Sequence, residues 1–292
     1  MRHLCWYKKR QTILRSKIER LPDDHHCKPY CLFWLSRLFE SIGNHAERKS
    51  ILLRLLSLDR SKGDDYEVAR TLRELSYANR MLGLLEEGIR EAKEALEIME
   101  RVGDAANRAM CLETLGDLLC EDNQLDAAEE AIIGAMNLWE EDQELGICRS
   151  HHNLGLIYSS RGERDKALYH FEVALGIASR FEWHYNIFWI HYSMARLFYK
   201  EDELDDAQTH ITQAKLHAAD DKFFLGRAMV MEAWIWFKQD RLEDATSAAL
   251  CAKEIYEKLG AARGLGKVTD LLREIEEAME SRATPTTSNS SA

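Results

Sequence analysis

Histidine and cysteine crowd together at His25-His26-Cys27-x3-Cys31, and these side chains supply the nitrogen and thiolate ligands that zinc takes. A structural zinc site wants four ligands in two spaced pairs. No second pair stands nearby, so the cluster reads as chance residues of an irregular segment between Pro22 and Pro29. The string Gly260-Ala-Ala-Arg-Gly-Leu-Gly266-Lys267-Val268 approaches a phosphate-binding loop, in which glycines expose backbone N–H groups to phosphate oxygens. Its first spacing is one residue too long, it ends in Val, and a helix, not a strand, precedes it. The acidic runs Glu140-Glu141-Asp142 and Glu201-Asp202-Glu203 offer paired carboxylates. Acid–base chemistry needs them inside a pocket, and at turns they read as solvated charges beside helix ends. His151-His152 and His184…His191 fall on helices, and His151 and His191 read as packing residues with one satisfied nitrogen. There is no Gly-x-Ser-x-Gly elbow. The residues therefore predict no catalytic group, no metal and no cofactor.

The elements that carry these residues repeat. The clearest unit reads Leu154-Gly155-x2-Tyr158, then Gly162, Ala167, Phe171 and Ala174. Other copies are Leu115-Gly116 with Asn123, Ala128, Ile132 and Ala135, and Met194-Ala195 with Asp202, Ala207, Ile211 and Ala214. Leu75-Ser76, Glu232-Ala233 and a worn Leu35-Ser36 complete the series. The small residue falls at 36, 76, 116, 155, 195 and 233, a period near forty. Such a period predicts stacked helical hairpins. Gly43, Gly83, Asn123, Gly162, Asp202 and Asp240 mark the turn inside each hairpin, because these types tolerate left-handed backbone. Small residues would let two helices approach while the large residue of each unit fills the space beside them.

This pattern resembles the tetratricopeptide repeat, Trp-x2-Leu-Gly-x2-Tyr followed by Ala, Phe, Ala and Pro, over about residues 30–260. The tryptophan is replaced by Leu72, Leu112, His151, His191 and Met229, and no unit keeps the proline. The longer period is similar to the repeats of kinesin light chains. The stretch from Gly162 through His191-Tyr192, with Gly226-Arg227-Ala228-Met229 and Tyr256 to Ala261, is similar to the C-terminal repeat half of fungal NLR-like signalling proteins, which follows a NACHT or NB-ARC nucleotide-binding domain. The resemblance implies an all-α fold: a right-handed superhelical α-solenoid of about six long hairpins. Expected units lie near 30–65, 66–105, 106–145, 146–185, 186–222 and 223–260. Residues 1–29 are expected to be a basic, partly helical segment. Val268, Leu271, Leu272, Ile275 and Met279 mark a capping helix over 261–280, and 281–292 reads as a disordered Ser/Thr-rich tail.

Composition agrees with that class. The 292 residues are 46% hydrophobic and 30% charged, with three prolines, as continuous helix requires. Seven cysteines without a framework read as reduced thiols, and no apolar run approaches bilayer length, so a cytoplasmic protein is expected. The net charge of −11 argues against nucleic acid as a partner.

In this repeat type, set positions of each first helix line the inner groove. They hold Phe33, Arg37 and Glu40, then Arg70, Arg73, Tyr77 and Arg80, then Glu113, Asp117 and Glu121, then Arg149 and His152. The last two units supply Trp189, Tyr192, Arg196, Tyr199 and Lys200, then Arg227, Trp234, Phe237 and Lys238. Nine cations against four acids predict an acidic protein or peptide as partner, bound without chemistry. Two alternatives stand beside this reading. One is a chaperone-type adaptor clamping an acidic C-terminus, against which Glu113 and Asp117 would repel the carboxylate. The other is a self-assembling scaffold or homo-oligomer, since stacked repeats have open ends.

Overall fold

The computed structural model describes residues 2–22, 24–140, 143–218 and 221–283. Among them the chain forms fourteen helices: α1 (Arg2–Arg20), α2 (Cys27–Ser41), α3 (His45–Lys62), α4 (Asp65–Leu82), α5 (Leu85–Val102), α6 (Ala105–Glu121), α7 (Leu125–Met136), α8 (Glu144–Arg161), α9 (Arg164–Arg180), α10 (His184–Lys200), α11 (Leu204–His217), α12 (Lys222–Lys238), α13 (Leu242–Leu259) and α14 (Ala262–Ala283). The repeat-marked hairpins are α2–α3, α4–α5, α6–α7, α8–α9, α10–α11 and α12–α13.

All six marked turn residues take positive φ, from 61° at Asn123 to 78° at Gly83 and Gly162. Left-handed backbone there stops one helix and turns the chain back along it. Asn44, Asp64, Asp104 and Asp221 cap the following helices by accepting backbone N–H bonds. Glu182 also has positive φ, at 53°, where an acidic side chain gains nothing from it. Inside the hairpins the small residues are needed for contact. A Cβ on Gly155 would lie 2.5 Å from the Phe171 ring, and one on Gly116 2.5 Å from the Ile132 side chain. Ala167 and Ala174 are fully buried in the same α8–α9 seam.

The chain divides into two compact units, residues 1–190 and 191–292. The expected uninterrupted array has no such boundary, and the division falls within α10. In the first unit, α1 packs on α2, burying Ile18 with Leu32, Leu35, Phe39, Leu52 and Leu72. The basic N-terminal stretch is thus a packed helix, and α2 already begins inside the expected 1–29 segment. Arg48 is wholly buried and bonds Glu74, with Glu40 3.3 Å away. In the second unit, α14 lays Val268, Leu271 and Ile275 against Ala245, Ala249 and Tyr256. The helix spans the segment expected to cap the array and reaches Ala283, into the stretch expected to be disordered. Residues 284–292 of that tail lie outside the described residues, as do Glu141 and Asp142 of one acidic run. No described helix is long and apolar enough to cross a membrane.

Candidate partner-binding faces

In the first unit the expected groove residues lie on successive first helices. Arg70, Arg73, Tyr77 and Arg80 sit on α4, Arg149 and His152 on α8, and Trp189 on α10. Tyr77 is held between two guanidiniums, with Arg48 and Arg80 each 5.1 Å from its ring centre. Arg80 pairs with Asp117 and Glu121 at 3.3 Å, and Arg149 with Glu113 at 2.9 Å. Three carboxylates that the repeat positions did not nominate also take up cations. Glu67 pairs with Arg70 at 2.6 Å, Glu74 with Arg73 at 3.2 Å, and Asp202 in the second unit with Lys238 at 2.8 Å. Within each unit the nominated cations therefore sit in a lattice of ion pairs, less basic than the repeat positions alone predict.

Crowding shifts the titration of this lattice. Burial pushes the Glu113 carboxyl up to about 7, against the pull of Arg149. Burial also raises Glu40 and Asp117. It pushes His152 down to about 4, so that imidazole is neutral at physiological pH. Tyr185 stands at the start of α10 and is 55% exposed, yet its hydroxyl is pushed up to about 12, first by burial and then by Tyr77. Glu40 of α2 and Arg80 of α4 also act on it. At one edge of this face Tyr30 and Trp34 are exposed, ring centres 6.0 Å apart, with Phe33 beneath Arg70.

The second unit holds Tyr192, Arg196, Tyr199, Lys200, Arg227, Trp234 and Lys238. Arg227 lies over Tyr192 at 5.5 Å and Lys238 over Tyr199 at 4.8 Å. Trp234 packs edge-on to Phe237 and Arg196 is exposed.

The histidines expected to be packing residues have partners that the sequence reading did not name. His151 and His170 bring their Nδ1 atoms to 2.9 Å, and one repeat later His191 and His210 bring theirs to 3.0 Å. Tyr158 stacks on His170 and Phe198 on His210. The signal was present as two histidines nineteen residues apart, repeated after forty. His25, His26 and Cys27 bring their ligand atoms within 4.8 Å of one another. Cys31, the fourth candidate, is buried in the α2 core, and His25 Nδ1 already accepts the Cys27 N–H at 3.2 Å. The Gly260–Lys267 string is a turn only at Gly260, where φ is 68°, and from Ala262 onward it is the start of α14.

The tetratricopeptide repeat family model matches residues 67–132, which covers most of α4, all of α5 and α6 and part of α7. The chain is similar in structure to a Rap protein complexed with competence and sporulation factor: 15% identity, 93% of this chain and 80% of that one, TM-score 0.69. It is also similar to a tetratricopeptide repeat protein from Parabacteroides merdae: 15% identity, 89% and 91% coverage, TM-score 0.59. The fold is that of a tetratricopeptide-repeat array. No curated protein sequence matches the chain. Repeats of this kind serve mainly to hold other proteins, and the matched family is not an enzyme family.

Proposed function

We propose that this chain is a non-enzymatic interaction module that binds a partner polypeptide, acidic in character, on the concave face of its first helices. The observation that carries the reading is the first-unit surface on which aromatic rings lie against arginines, Phe33 under Arg70 and Tyr77 between Arg48 and Arg80, with Tyr30 and Trp34 exposed on α2. Exposed aromatics beside arginines are the side chains that dominate peptide interfaces, because they bury much area and lose little rotamer freedom. The Rap neighbour is described in complex with a factor of its own, which is compatible with ligand capture by this fold. The resemblance of Gly162 to Ala261 to fungal NLR-like repeats extends the proposal to a cytoplasmic sensor or scaffold role. A chaperone-type clamp is less favoured, because Glu113 and Asp117 stand where it needs carboxylate-binding side chains.

The test uses a displayed random peptide library and the full chain. Selection should enrich sequences rich in Asp and Glu. Tyr185→Ala and Trp34→Ala, both at exposed positions, should each weaken the selected peptides at least tenfold while leaving the melting temperature unchanged. Enrichment of no sequence, or equal binding by both variants, would remove this face as the binding site.

A further inference from the structure

The corner between α1 and α2 gathers three metal-ligating side chains that their spacing alone leaves as chance neighbours. Consecutive residues alternate sides on a strand and diverge by about 100° each on a helix, so three tips in a row seldom meet. Here the ligand atoms of His25, His26 and Cys27 all lie within 4.8 Å of one another. A turn produces this. His25 donates its backbone N–H to the Pro22 carbonyl at 3.1 Å, and its own carbonyl accepts the Lys28 N–H at 2.9 Å. The chain thus curls just before α2 begins at Cys27. His25 Nδ1 accepts the Cys27 N–H at 3.2 Å, which folds the ring back over the start of the helix. The His26 ring stacks on it, with centres 4.6 Å apart. Lys28 fixes the turn, since it is buried and its ammonium donates to the Leu21 carbonyl at 2.8 Å. An ammonium has no lone pair, so it does not compete as a ligand. The cluster is open to solvent: His26 is exposed, His25 and Cys27 are half-buried, and Cys27 is a free thiol.

We propose that His25, His26 and Cys27 form a site for a divalent zinc-type cation, with three protein ligands and a fourth position taken by water. Around a tetrahedral zinc the donor atoms stand about 3.5 Å apart, within reach of these side chains by small rotations. Two imidazoles and one thiolate suit zinc and disfavour magnesium and calcium, which take oxygen donors. Cys31 is not needed. Four ligands are the rule for closed structural sites, and three with an open position are the other zinc arrangement. On binding, the Cys27 S–H bond breaks, its proton goes to solvent and a metal–sulfur bond forms, while both imidazoles bind as neutral rings. The His25 Nδ1 lone pair passes from the Cys27 N–H to the metal. That N–H lies in the first turn of α2, where helix donors lack an intrahelical partner and water can take its place. The metal ties the connecting turn to the first residue of α2 and so clamps the α1–α2 corner. This site does not rest on the peptide-binding face, and each can fail alone.

The test is titration of the full chain, with its thiols reduced at neutral pH, using Zn²⁺ and using Co²⁺ as a coloured stand-in. Co²⁺ should give a thiolate-to-metal charge-transfer band and the strong visible bands of four-coordination, saturating at one equivalent, and Zn²⁺ should displace it with release of the thiol proton. Cys27→Ser should abolish the charge-transfer band, and His26→Ala should weaken Co²⁺ binding roughly tenfold or more. Cys251→Ser, which alters an exposed thiol on α13, should leave the titration unchanged. Zn²⁺ should raise the melting temperature of the parent but not of Cys27→Ser, while the metal-free forms of the two melt alike. Metal binding without a charge-transfer band would assign the ion to the histidine pairs of the hairpins and overturn the proposal. A band that survives in Cys27→Ser, or no binding at micromolar metal, would overturn it as well.

Discussion

Glu182 is the residue at which local chemistry and backbone disagree. Its φ of 53° places Cβ against the neighbouring carbonyl, a cost of about 1–2 kcal/mol for a residue that is neither Gly nor Asn. The corresponding turns at Gly63, Gly103 and Gly260 use glycine. Glu182→Gly should therefore raise stability by about 1 kcal/mol, read as a higher denaturant midpoint at unchanged slope. An unchanged or lower midpoint would mean that the side chain has a compensating role. Ala167 tests the opposite limit, since it is fully buried where α8 meets α9. Ala167→Glu should cost about 3 kcal/mol or more by burying an unpaired charge, and a thermal melt like that of the parent would contradict the packing. These alanines and turn residues were legible in the sequence because their constraint is local: a short contact or a sign of φ admits few residue types. Arg48 was not legible. Nothing in a string of helical residues announces that an arginine will be wholly buried between Glu40 and Glu74.

At the scale of the hairpin, the two histidine pairs tie helix to helix with one shared proton each. An Nδ1···Nδ1 contact of 3.0 Å needs one ring to donate and the other to accept, so each pair is stable only while at least one ring is neutral. Burial first, then His210 and His217, push His191 down to about 4. Burial lowers His210 too, with Asp206 opposing it, and burial lowers His170 against Glu129. The unfolded chain takes up these protons near pH 6.5. The native state resists them, so the stability the pairs confer is complete above that pH and is lost as pH falls toward 4. The loss should be about 2 kcal/mol for the second pair, after allowance for partial solvation. His191→Leu with His210→Leu should flatten the dependence of stability on pH between 6.5 and 4 relative to the parent. Parallel curves for the two proteins would show that the pair is not titrating. The repeat period identified His151 and His191 as packing positions, but it did not show what they pack on. Finding their partners required the antiparallel register of each hairpin. The same gap left Glu67, Glu74 and Asp202 out of the expected face, although they lie beside its nominated cations.

At the scale of the molecule, neighbouring helices supply the apolar cover that each hairpin cannot supply for itself. The repeat spacing carried this much, because a small residue every forty positions makes sense only if every unit meets the next in the same way. It did not carry the division at residue 190, which depends on how densely particular helices touch. The second unit shows what closing a stack requires. Tyr256 is buried between α12 and α14, and Val268, Leu271 and Ile275 are each fully covered while the opposite side of α14 is charged. A chain ending at Gly260 would leave Tyr256 and the alanine face of α13 open to water. Uncovered apolar area carries roughly 25 cal/mol per Å² of lost stabilisation, so several large side chains together approach the stability of a whole small domain. The truncated chain should bind a hydrophobic dye, aggregate at micromolar concentration and lose amide protection in α12 and α13. Leu271→Asp in the full chain should produce the same exchange pattern without the truncation. If both proteins remain monomeric and keep α12 and α13 protected, α14 is an appendage, and the second unit is closed by its own hairpins.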